Sequence, residues 1–230
     1  MQQEPIRRDG TRVVYGAPTQ ESALATNKVL RNTYTLLSMT LLFSAAMAGV
    51  SMALKLPFFG PFLTLGVYFG LLFLTTKLRN SAAGIVCVFA LTGFMGLTLG
   101  PLLSAYLEYV PNGGELIMTA LASTGVIFLG LSAYAVKSQK DFSFMSGFLM
   151  VGMIGLLAVI VIGLFVDLSA FQMAISAGVV LLMAGMILWQ TSAIIHGGET
   201  NYIMATITLY VSIYNLFVNL LMLLGMGGDD

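Results

Sequence analysis

An all-α protein that crosses a lipid bilayer seven times is the fold that three features of this 230-residue chain predict. Hydrophobic residues make up 58% of it and charged residues only 9%, where a soluble domain carries about 25% charged residues. Seven apolar runs free of Asp, Glu, Lys and Arg follow one another at 33–54, 57–76, 80–107, 116–136, 144–166, 168–195 and 203–224. The links between them are short, and their charges differ in sign from one side to the other.

The elements follow in order. Residues 1–31 are polar and broken by Pro5, Gly10, Gly16 and Pro18, with no apolar period, so a disordered tail is expected. Fully extended, it would reach on the order of 100 Å. No apolar core precedes Thr33, so the first run reads as a retained span and not as a cleaved leader. Each run meets or exceeds the ~20 residues that a helix needs to cover ~30 Å of hydrocarbon. Barrel strands would be ~10 residues of alternating polarity, and these runs are continuous and too long. The spans therefore occupy a domain over 32–225, with a short tail at 226–230. Lys55–Leu56, Lys77–Arg79, Glu108–Glu115, Lys137–Ser143, Asp167 and His196–Tyr202 join antiparallel neighbours and leave no room for a further domain.

Charge sets the expected orientation. Nine of the ten Lys and Arg residues fall on the side of the N-terminus, and only Lys55 falls opposite, among Glu108, Glu115, Asp167, Asp229 and Asp230. Short basic loops stay in the cytoplasm, which places the N-terminus inside and, with seven spans, the C-terminus in the periplasm. Net charge is zero, so nothing in the electrostatics calls for nucleic acid. The single Cys87 lies in an apolar run and reads as a small buried hydrophobe.

The last run carries the most distinctive pattern. Asn201, Thr208, Ser212, Asn215 and Asn219 fall within about 60° of helical arc. Polar side chains do not face acyl tails without loss, so this stripe should face other helices or a wet cavity, which makes the last helix central. Bonds across helices are the expected use of these groups. Gln190 lies at a depth from which it could complete a polar pocket with them. None of the spans carries an ionisable side chain near its middle, which counts against a charge-driven pump.

His196 and Glu199 make too few ligands for a metal and have no catalytic partners, so they read as a solvated turn, as do Gly197 and Gly198. No enzyme activity, metal or cofactor is expected. Gly96 with Gly100, and Ala174 with Gly178, have the spacing of close helix contacts, read as packing within the chain. Trp189, Tyr106, Tyr109 and Tyr202 read as interfacial anchors. No internal repeat of the transporter kind is visible.

Asn201-Tyr202-Ile203, the run Leu209–Phe217 and Leu221–Gly225 together resemble the last-helix signature of the Bax inhibitor-1 family. Lys28–Tyr34, Lys140–Phe144 and Ile195–Tyr202 are similar to its bacterial YccA-type branch, whose members modulate the membrane AAA+ protease FtsH. The resemblance spans about Lys28 to Gly225. It implies a bacterial inner-membrane protein with FtsH as partner, both a slowly processed substrate and a brake on degradation of other membrane proteins. Other branches form a pH-sensitive calcium leak with two intramembrane acids, whose positions fall on Gln190 and Ser212 here. Neither ionises, so the resemblance gives an ion (calcium or proton) leak only as the alternative function.

Overall fold

Backbone amides in hydrocarbon find no water, so each apolar run must satisfy its own hydrogen bonds as a helix. The computed structural model describes residues 20–227, with the side chains of 26–227, and contains seven helices long and apolar enough to cross a membrane. They are α1 Gln20–Ala53, α2 Pro61–Leu78, α3 Ala82–Tyr109, α4 Gly113–Ser138, α5 Ser146–Gly163, α6 Gln172–Ile195 and α7 Tyr202–Met226. No strand occurs among the described residues.

Several helix ends differ from the sequence reading by a few residues, and two of them have a clear local reason. Helix α1 begins at Gln20 and so includes the last part of the segment expected as tail. From Gln20 to Asn32 there is no Gly or Pro, and extending an existing helix costs far less than starting one. Residues 1–19, the rest of the expected tail, lie outside the described residues, as do 228–230. Helix α2 starts four residues later than expected, at Pro61, because Gly60 holds φ 72°, a left-handed conformation that ends any helix approaching it. Proline then occupies the first helical turn, where its missing N–H costs nothing.

Asp141 and Asp167 each accept a backbone N–H from the serine two residues on, Ser143 at 2.8 Å and Ser169 at 2.9 Å. A short 3₁₀ turn follows each, Ser143–Met145 and Ser169–Phe171, and leads into α5 and α6. The same device therefore starts a helix at opposite ends of the bundle. We call these the basic end, with Lys28, Arg31, Lys77, Arg79, Lys137 and Lys140, and the acidic end, with Glu108, Glu115 and Asp167.

Helix α7 is central. It packs against α1, α3, α4 and α6, and half of its most apolar window is buried, the largest share of any span. Its Leu209, Leu216 and Leu221 are fully buried, with Leu37 of α1, Leu91 of α3 and Ile187 of α6 among the tightest core positions. Helices α2 and α5 lie outside, α2 against α3 and α5 against α6. Alpha-helices α1 and α3 make the closest seam. A Cβ added at Gly96 would run into the Ser44 backbone, and one at Gly100 into the Ser51 side chain.

Ala174 and Gly178 behave otherwise than expected. Both are exposed, and a Cβ at Gly178 would meet nothing within 4 Å. They line an outward cleft of about 370 Å³ between α5 and α6 with Phe148, Gly152 and Leu182. Spacing alone does not say which face of α6 is turned inward.

Candidate functional site in the polar interior

The buried polar side chains among the described residues are Ser, Thr and Gln, joined by the hydroxyl of Tyr210. The interior is therefore uncharged, and what it can do rests on hydrogen bonding alone. Its centre is Tyr210 of α7, 1% exposed. The Tyr210 hydroxyl lies 2.6 Å from Ser44 Oγ of α1 and donates to the Thr92 carbonyl of α3 at 3.2 Å. One turn on, the Tyr214 hydroxyl pairs with Thr98 Oγ1 of α3 at 2.9 Å. Ser51 Oγ of α1 donates to the Leu97 carbonyl at 2.8 Å. These bonds join α1, α3 and α7 through the middle of the bundle.

The stripe on α7 is built differently. Thr208 donates to the Met204 carbonyl, Ser212 to Thr208, Asn215 to Val211 and Asn219 to Asn215, at 2.8–3.1 Å. Each satisfies itself on the turn before it, a local option always open to such residues in a helix. The expected bonds across helices are absent from these four positions. Ser212 is buried, whereas Thr208, Asn215 and Asn219 are half-buried, and Asn215 lines a cleft of about 310 Å³ among α2, α3, α5, α6 and α7.

Gln190 is 2% exposed, and its Nε2 has no hydrogen-bond partner among the described residues. No hydrogen bond joins it to Ser212. Thr191 beside it meets the Tyr34 hydroxyl at 3.3 Å, and Tyr34 stacks on Phe128 of α4 at 5.9 Å. Helices α1, α4 and α6 thus converge near the basic end.

The loop after α6 is a hub at that end. Ser192 Oγ accepts the Phe142 N–H at 3.0 Å and donates to the Lys140 carbonyl at 3.1 Å. His196 Nε2 lies 3.2 Å from the Gln139 carbonyl. Asn201 Nδ2 donates to the Arg79 carbonyl and to Asn80 Oδ1, while its side-chain Oδ1 caps the Ile203 and Met204 N–H groups. His196 and Glu199, read as a solvated turn, lie in a turn where His196 is exposed and Glu199 accepts the Asn201 N–H at 2.8 Å. No group of three or more metal-ligating side chains occurs among the described residues.

Sequence reasoning missed Tyr210, Tyr214, Ser44 and Thr98. Tyr210 and Tyr214 lie on the face of α7 opposite the stripe, at about 180° and 220° from Asn201. Their four-residue spacing was the available signal. Tyr106 was expected at the interface, yet its hydroxyl donates to the Leu221 carbonyl at 3.2 Å and so ties α3 to α7. Gly225 leaves room for that ring.

Residues 26–229 match the sequence model of a family described as inhibitor of apoptosis-promoting Bax1. The chain is 49% identical over 219 residues to the modulator of FtsH protease YccA of Escherichia coli, covering 95% of this chain and 99% of that protein. It is 58% identical over 203 residues to an uncharacterized protein of Pseudomonas aeruginosa, covering 88% and 91%. An uncharacterized membrane protein of Vibrio cholerae is 47% identical over 211 residues, covering 91% and 94%.

Proposed function

The chain belongs to the Bax inhibitor-1 family, and from that premise we propose that it is a regulatory protein of the bacterial inner membrane that binds FtsH and restrains its degradation of membrane proteins. The observation that carries this reading is the near end-to-end similarity to the Escherichia coli modulator of FtsH protease. In the proposed orientation the basic end and the N-terminus face the cytoplasm, where nine of ten basic residues would lie.

The geometry offers a mechanism. A protease that pulls on the N-terminal segment meets α1 first, and α1 is held to α3 by the glycine seam and to α7 through Ser44 and Tyr210. A bundle tied in this way resists extraction, and the engaged protease is occupied while it waits. The interior gives less support to a leak, since Gln190 and Ser212 cannot ionise and no charged side chain is buried among the described residues.

Copurification from native membranes tests the partner, and turnover of a membrane substrate of FtsH tests the activity. FtsH should be recovered with the full chain, and substrate half-life should lengthen when the chain is overproduced. Loss of residues 2–20 should abolish the slowing. If that deletion leaves both binding and slowing intact, the tail mechanism is wrong; if FtsH is not recovered at all, so is the partner.

A further inference from the structure

Helices α1 and α4 touch through Tyr34 and Phe128 near the basic end and share no extended seam. Toward the acidic end they part, leaving a cleft of about 340 Å³ floored by α3 and α7. Its walls include Ala45, Gly49 and Met52 of α1 and Ile117 and Leu121 of α4. Ala45, Gly49 and Leu121 are exposed, so the cleft opens sideways to the hydrocarbon. From Met52 to Leu41 it runs roughly 16 Å along α1, about the depth of one leaflet of a ~30 Å core.

The chemistry of the lining selects the occupant. Ser44 and Tyr210 bond to each other, Tyr214 to Thr98, and Thr124 to the Ala120 carbonyl. No polar atom of the lining waits for a partner, so an occupant needs no polar atom of its own. Water would lose hydrogen bonds in such a space, whereas a hydrocarbon chain loses none. The size is in the range of small-molecule pockets.

Charged residues follow the lining along both walls toward the acidic end. Lys55, three residues beyond Met52, is the only basic residue of that end among the described residues, and Glu115, two residues before Ile117, lies in the first turn of α4. Both are exposed, and Glu108 adds a second acid where α3 ends. Lys55 also sits at φ 50°, the left-handed position where a helix normally ends in glycine. A lysine held there at a conformational cost points to a use for its charge.

We propose that the α1–α4 cleft binds one acyl chain of a zwitterionic phospholipid, whose phosphate meets Lys55 and whose ammonium meets Glu115. Anionic lipids would match Lys55 but be repelled by Glu115 and Glu108. Phosphatidylethanolamine and phosphatidylglycerol, each carrying a photoreactive group in one acyl tail, would serve as probes with the full chain in nanodiscs. Adducts from phosphatidylethanolamine should concentrate on the cleft residues of α1 and α4, and those from phosphatidylglycerol should be weaker there.

Gly49→Leu fills the cleft at a position where an added Cβ meets nothing within 4 Å. It should reduce the cleft adducts severalfold, because the added side chain takes up volume that the acyl chain would fill. Gly70→Leu, also in open space but on α2, should not. Lys55→Gly suits the backbone better than lysine and should keep the fold, yet should weaken the cleft adducts of both lipids, whereas Glu115→Gln should narrow the preference between the two headgroups. Adducts spread evenly over α2 and α5, or a cleft unaffected by Gly49→Leu, would overturn the proposal. So would capture in native membranes of a protein helix in place of lipid.

Discussion

At Tyr210 three helices meet through one hydroxyl, and its removal should be felt at two places. Tyr210→Phe leaves Ser44 without its partner and the Thr92 carbonyl without its second donor. The loss should be on the order of 1 kcal/mol, within the range for hydrogen bonds between membrane helices. Ser44→Ala removes the same bond from the other side. The double variant should cost little more than Tyr210→Phe alone, and reversible unfolding in mixed micelles would measure the cycle. Fully additive losses would mean that the two hydroxyls do not depend on each other. Composition and period made the interior's neutrality legible, since the absence of acids and bases needs no coordinates. They did not reveal which hydroxyls bond where. Ser212, Asn215 and Asn219 can reach their own helix, and a helical wheel gives direction without giving partners. Tyrosine has no such local option, because its hydroxyl extends past its own turn, so it was the residue type fitted to join helices.

At the scale of the element, the aspartate turns before α5 and α6 set how the helices begin. Bonds from the Ser169 N–H and hydroxyl hold Asp167 below the usual carboxylate range, and Ser143 does the same for Asp141. The lowered value fixes the sign. The ionised carboxylate stabilises the fold at all pH above the ordinary value of about 3.9, and that contribution fades as pH falls through the folded value. Asp167→Ala should therefore lower the Tm by a constant amount at neutral and mildly acidic pH. Below that range the gap between variant and parent should close. A gap that persists unchanged at the lowest pH would show that Asp167 acts by some route other than its charge. Helix existence was readable from seven uncharged runs, because lipid leaves the backbone no alternative. Helix ends were not so readable, since they turn on single backbone conformations such as Gly60 and on how far α1 continues beyond the membrane.

At the scale of the whole molecule, stability and resistance to pulling are different quantities. Gly96→Ala presses a methyl group into the Ser44 backbone and should part α1 from α3, at a cost of about 1–3 kcal/mol. Asn201→Ala removes the cap of α7 and the tie to the loop between α2 and α3, at a cost of about 1 kcal/mol. Both variants should unfold more readily in denaturing detergent. A protease drawing on the N-terminal segment, however, must first free α1, whose neighbours are α3, α7 and α6. Only interactions broken in that step govern its rate, so Gly96→Ala should shorten the half-life of the chain by about fivefold or more for each kcal/mol lost in the seam. Asn201→Ala lies outside the step and should leave the half-life near that of the parent. Proteoliposomes containing FtsH and ATP would give both values. Equal acceleration by the two variants would mean that the bundle loosens throughout before α1 leaves, and the first helix would not be the point at which extraction is held.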